Sequence, residues 1–172
     1  MDMSKISAGK DLPHDFNVVI EIPAQSDPVK YEVDKESGAL LVDRFIGTSM
    51  RYPANYGFIP QTLGDDGDPV DVCVITPFPL LAGSVIRCRP LGMLLMEDMK
   101  MLAVPVQKLT PRYNKIQTID DVPEDYLAQI RHFFEHYKDL EKGKWAKVSG
   151  WTGPEEACKV IMKGVEAYNN AK

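Results

Sequence analysis

The chain has 172 residues, 44% hydrophobic and 26% charged, with a formal net charge of −5. This length and balance read as one soluble globular domain with room for a real core, spanning residues 1–172. The acidic balance argues against a nucleic-acid footprint, because backbone binding needs a basic surface.

Met1–Lys10 has no apolar h-region, so no secretion signal is read there. Phe16–Ile22 sets Val18, Ile20 and Ile22 against Val19 and Glu21, the alternation of a strand. Val29–Asp34 alternates more cleanly, with Lys30, Glu32 and Asp34 opposite Val29, Tyr31 and Val33. A hairpin between these strands would bring Glu21 beside Lys30 and Glu32. Mixed charges on such a face are ordinarily just its solvated side. Leu40–Ile46 follows as a strand carrying Arg44. Further strands are expected at Tyr56–Ile59, Val70–Ile75, Ser84–Met96 and Leu102–Val106, kept short by Pro53, Pro60, Pro77 and Pro79 as in small barrels. Apolar stretches such as Leu91–Met96 are too short to span a bilayer.

Asp121–Glu141 predicts a long helix. Pro123 belongs in its first turn, Leu127, Ile130, Phe133, Phe134, Tyr137 and Leu140 form one stripe, and Gly143 ends it. A second helix is expected from Thr152, where T-G-P-E resembles a capping box with Glu155, burying Ala157, Val160, Ile161 and Val165. Strands first and helices after is an α+β order, best met by a small β-barrel flanked by two C-terminal helices. Cys73, Cys88 and Cys158 are odd in number and match no metal-ligand spacing; they read as reduced core thiols of a cytoplasmic protein.

The most informative segment is D-G-D-P-V-D-V, Asp66–Val72. Gly67 permits φ > 0 and Pro69 fixes φ, so the backbone turns between three carboxylates, Asp66, Asp68 and Asp71. Carboxylates this close repel by about 1 kcal/mol per pair even in water, and by more as solvent is excluded. A bland reading as turn formers explains Asp66 and Gly67 but not Asp71, which sits in a strand where Asp is depleted. An EF-hand fails on spacing: Asp71 falls where that loop needs Gly and Pro77 where it needs Glu. Oxygen-only ligands without Cys or His suit Mg²⁺ or Mn²⁺ rather than Zn²⁺.

Several motifs in one order extend this reading: V-V-I-E-I-P-A at Val18–Ala24, K-Y-E at Lys30–Glu32, V-D-R-F at Val42–Phe45 and Y-P-A-N-Y-G-F at Tyr52–Phe58. G-S-V-I-R-C-R-P at Gly83–Pro90 and H-F-F-E-H-Y-K-D-L-E-K-G-K-W at His132–Trp145 complete the series. Together with the acidic corner, they make the chain resemble the soluble family I inorganic pyrophosphatases of bacterial type along nearly its whole length. The resemblance implies an OB-like closed barrel, Mg²⁺-dependent hydrolysis of pyrophosphate to two phosphates, several metal ions per site and a homohexamer. By the same resemblance, Asp66 and Asp71 ligate the activating metals, Asp71 bridging two, and Asp68 is the general base. Lys30, Arg44, Tyr56, Lys100, Tyr137 and Lys138 hold the phosphates. Glu21 and Asp98 serve further metals, while Glu32 and Tyr52 line the site.

One segment departs from the family. Where its members carry two acidic ligands around a Gly-containing loop, this chain reads M-E-D-M-K from Met96 to Lys100, leaving only Asp98. Asp98 matches the first family Asp by its spacing from Met96 and the second by its spacing from Lys100. Either the loop is shorter, with one ligand fewer, or residues of a mobile loop are absent between Asp98 and Met99. The second is the expectation, since a loop held only by metals has few apolar contacts to offset its ordering entropy.

Two rival readings remain. His132-Phe133-Phe134-Glu135-His136 matches H-x-x-E-H, the pattern of a zinc peptidase with a third ligand from Glu155, Glu156 or Glu166. It leaves the acidic corner unexplained, and packing or subunit contact is the commoner role for two such histidines. An OB-type module for single-stranded nucleic acid would need a positive groove, which the net charge and the carboxylates oppose.

Overall fold

The computed structural model describes residues 1–172. Five strands close into a barrel: β1 (Phe16–Ile22), β4 (Asn55–Phe58), β5 (Asp71–Val74), β7 (Lys100–Pro105) and β6 (Val85–Leu95), with β6 returning to pair with β1. All neighbours are antiparallel except β5 and β7, which run parallel with Val72 opposite Met101. β8 (Gly150–Thr152) extends the sheet beside β6, and β2 (Val29–Val33) with β3 (Leu40–Phe45) forms a separate two-stranded ribbon. The C-terminal third carries α1 (Glu124–His136) and α2 (Pro154–Asn170). The expected α+β barrel with two C-terminal helices is the fold observed. No helix is long and apolar enough to cross a membrane.

Helices cover the barrel strands, so these bury both faces rather than alternating apolar and polar residues. On β5, Val72 and Val74 join a cluster with Ala157 and Ile161 of α2, while Cys73 joins the cluster under Ile130, Phe133 and Phe134 of α1. β4 packs against β1 so closely that a Cβ at Gly57 would stand 1.9 Å from the Val19 carbonyl oxygen. Asn55 ties two loops to the end of β5 with all four of its amide hydrogen bonds. Its Oδ1 accepts from the Ala24 and Leu80 amides, and its Nδ2 donates to Val74 O and Thr76 Oγ1.

Four local expectations change. β1 forms no hairpin with β2, because barrel closure fills both its edges with β4 and β6. α1 ends at His136, so Tyr137–Gly143 is a run of turns and Leu140 stands exposed. Thr152 does not cap α2: it is held extended by pairing with Met93, and Gly153 takes the cap position without a side-chain bond. Cys73 and Cys88 are buried, whereas Cys158 on α2 is only half-buried; all three are free. Between β6 and β7 the polypeptide runs directly through Asp98 and Met99 in a short hairpin, with Leu94 opposite Lys100.

Candidate active site

The acidic corner is built locally. Asp66 Oδ1 accepts from the Asp68 amide at 2.9 Å, the Gly64 amide donates to Asp68 O, and the Gly67 amide donates to Gly64 O. Gly67 sits at φ +83°, a left-handed conformation that a side chain would strain. The turn delivers the chain to β5, where Asp71 is the first residue.

Because β5 and β7 are parallel neighbours, their first residues, Asp71 and Lys100, meet. Lys100 Nζ donates to Asp71 Oδ2 at 2.8 Å. Lys100 is 5% exposed and its ammonium lies over the rings of Tyr56 and Phe134, at 5.4 and 5.8 Å from their centroids. Burial works against this ammonium, but the Asp71 carboxylate outweighs it and the Lys100 pKa ends raised.

Asp98, in the β6–β7 hairpin, faces Asp66. Burial and then the hydrogen bond with Asp66 raise the Asp98 pKa. At Asp66, burial is outweighed by the Asp68 amide, the Asp98 side chain and Lys100, so its pKa is lowered. Two carboxyl groups facing each other mark a place where a cation would relieve the repulsion. Glu21, on β1, is 7% exposed, and its Oε2 accepts from the Val33 amide at 2.7 Å. Burial is the main cause that pushes its pKa up to about 7, the Val33 amide and Lys35 opposing and Asp71 and Glu32 reinforcing.

The opposite wall is phenolic and cationic. Tyr52 packs 5.0 Å from Tyr56 and 4.4 Å from Phe133, centroid to centroid, and Tyr137 stacks on Phe133 at 4.9 Å. Burial raises the pKa of all three tyrosines, so they stay neutral donors. Lys138 has its pKa lowered by burial and by the charges of Arg44, Lys100 and Lys30.

One narrow cavity of about 130 Å³ collects these groups. Glu21, Asp66, Asp68, Asp71 and Asp98 line it on the acidic side. Lys30, Glu32, Tyr52, Tyr56, Lys100, Tyr137 and Lys138 also line it. Arg44 is the one anticipated residue outside this lining. It stands at the rim, paired with Glu141 at 2.5 Å. A larger groove of about 740 Å³ adjoins the cavity and shares Glu32, Lys35, Phe58, Asp68 and Pro69 with it. The groove has Lys35 as its sole cation, whereas the small cavity collects Lys30, Lys35, Lys100 and Lys138.

The donor set suits a hard divalent cation: its acids offer only oxygen, Asp66 and Asp98 line the same cavity, and an ammonium rests on Asp71. No three of these acids are drawn together as a ready-made cage. In the H-x-x-E-H segment, Glu135 pairs with Arg131 and His136 Nδ1 lies 2.8 Å from Asp139 Oδ2.

Sequence reasoning missed Tyr31, Lys35, Asp43 and Glu141. Tyr31 lines the cavity despite the alternation, and the register shift beside it leaves Asp43 of β3 as the extra residue between Arg44 and Val42. Asp43 is 3.5 Å from Lys30, and its neighbour Arg44 was the only residue of V-D-R-F singled out. Lys35 lies 4.6 Å over the Phe58 ring, in a turn without a local signal.

Residues 18–169 match the family model for inorganic pyrophosphatase. An inorganic pyrophosphatase of Ralstonia nicotianae is 62% identical over 173 residues, covering 98% of this chain and 99% of that protein. The solved structure of an inorganic pyrophosphatase from Coxiella burnetii superposes with a TM-score of 0.91 at 53% identity, over 95% of this chain and 99% of the other. One described as an inorganic phosphatase, from Anaplasma phagocytophilum, gives 0.94 at 46% identity, over 96% and 99%. With a matching family model over most of its length, relatives along the whole chain and one cavity that joins carboxylates to cations, the chain belongs to the inorganic pyrophosphatase family and is a hydrolase.

Proposed function

We propose that residues 1–172 act as one domain that hydrolyses inorganic pyrophosphate to two phosphates with Mg²⁺. The observation that supports this most is the meeting of the acidic corner and the cationic, phenolic groups in one narrow cavity. Asp66, Asp71, Asp98 and Glu21 hold the metal ions. When bound, Mg²⁺ acidifies the attacking water and neutralises phosphate charge. Asp68 accepts the proton of that water as general base. Lys30, Arg44, Lys100 and Lys138 donate charge-assisted hydrogen bonds to the phosphate oxygens, and Tyr56 and Tyr137 add neutral donors. Glu32 and Tyr52 close the walls. Catalysis is then positioning and charge stabilisation. Phosphate release from pyrophosphate should appear with Mg²⁺ and vanish with a chelator. Release that is indifferent to divalent cations, or absent with them, would sink this reading.

The enzyme works in the cytoplasm as a homohexamer, and its copies meet through the His132/His136 edge of α1. The two exposed rings lie 4.6 Å apart on one edge of the helix. Replacing both by glutamate sets fixed like charges side by side there and should weaken assembly. Sedimentation showing one unchanged oligomer for the His132→Glu, His136→Glu double variant would count against that contact.

A further inference from the structure

Arg44 does not wait empty-handed. Its Nη1 donates to Glu141 Oε1 at 2.5 Å, and Lys144 Nζ reaches the same oxygen at 3.4 Å. Both side chains of the Arg44–Glu141 pair are under a third exposed, at 30% and 26%. Arg44 sits on the β2–β3 ribbon, which shares no strand pairing with the barrel. Glu141 comes from the turns after α1, where its amide donates to Lys138 O at 2.9 Å. The pair therefore joins the ribbon to the turns that carry Tyr137 and Lys138. A guanidinium offers its N–H edge to a carboxylate or to a phosphate with the same planar geometry, so the two anions compete for it.

We propose that Glu141 masks the phosphate-binding edge of Arg44 in the substrate-free enzyme and must be displaced before a phosphate group binds there. This rests on reading Arg44 as a phosphate ligand. Glu141 touches no reacting atom; it acts through Arg44 as a positioning residue that sets affinity. The acids at the metal corner have a different task, because they face the water that attacks. Glu141 is outside the cavity lining and pairs with Arg44 and Lys144 instead. Masking makes only a fraction of the free enzyme competent, and apparent affinity falls by that fraction. A partly exposed ion pair sets the factor at about two to five. The same masking loosens the product phosphate, whose departure limits turnover in many enzymes.

The test is Glu141→Gln, which keeps the shape and removes the charge, with Glu141→Ala as a second variant. KM and kcat for pyrophosphate are measured with Mg²⁺, and inorganic phosphate binding to the metal-free protein is measured by calorimetry. KM and the phosphate dissociation constant should both fall about two- to fivefold, with kcat not raised. In an Arg44→Gln background the same substitution should change neither. A KM or phosphate dissociation constant that stays the same or rises in both variants overturns the proposal, since Glu141 would then steady Arg44 rather than mask it. Failure of the wild-type enzyme to release phosphate would instead strike the functional reading. The calorimetric comparison needs no turnover and still decides the masking.

Discussion

Asp68→Asn is expected to lower turnover by about 10²–10⁴-fold, the range that general-base catalysis contributes. The amide has nearly the shape of the carboxylate but cannot take a proton from the attacking water. Its backbone keeps the turn, because the 2.9 Å bond to Asp66 Oδ1 comes from the Asp68 amide and not from its side chain. The proposed metal holders, Asp66, Asp71, Asp98 and Glu21, are untouched, so Mg²⁺ affinity should change far less than turnover. Steady-state rates across a Mg²⁺ titration separate the two effects. A variant with near-normal turnover at neutral pH removes Asp68 from the role of base.

The second large effect is on stability, at Glu21. Its carboxyl moves from an ordinary value of 4.5 to about 7 on folding, chiefly through burial. Below pH 4.5 it is protonated in both states and costs nothing. Between 4.5 and about 7 the folded state binds more protons than the unfolded one, so stability falls as pH rises. Above that window the loss levels off at about 3 kcal/mol. Glu21→Gln mimics the protonated acid, and its carbonyl oxygen can still accept from the Val33 amide. The metal-free variant should therefore match the wild type at low pH and exceed it by up to about 3 kcal/mol at pH 8. Urea unfolding at the two pH values with a chelator present checks this. Parallel pH profiles for the two proteins would falsify burial as the cause. A carboxylate kept in a place that destabilises the empty protein fits a group held for a cation.

The acidic corner was legible because its information is local: Gly67 and Pro69 dictate the turn, and the three carboxylates lie within six positions of one another. Strands β1 to β7 also came through, within a residue or two, from the length of apolar runs between prolines. The β1–β2 hairpin failed because period-2 alternation says which face a residue takes and not which strand lies beside it. Glu21 reached the β2 end through its side chain instead, by the bond to Val33. The end of α1 was overrun because Tyr137 does continue the apolar stripe, while Leu140 points to solvent in the turns that follow. Thr152 looked like a cap until pairing with β6 claimed it.

By itself the sequence determined the element order, the α+β class and the acidic turn, since these follow from propensity, periodicity and the fixed dihedral angles of Gly and Pro within short stretches of chain. The tertiary structure alone decided how charges from distant segments meet. The parallel register of β5 and β7 puts Lys100 on Asp71, the β6–β7 hairpin brings Asp98 against Asp66, and the turns after α1 carry Glu141 to Arg44. Those contacts come from closing the barrel and laying α1 across it. Closure is a property of the whole chain, and so is the burial that lifts the Glu21 carboxyl out of its ordinary range.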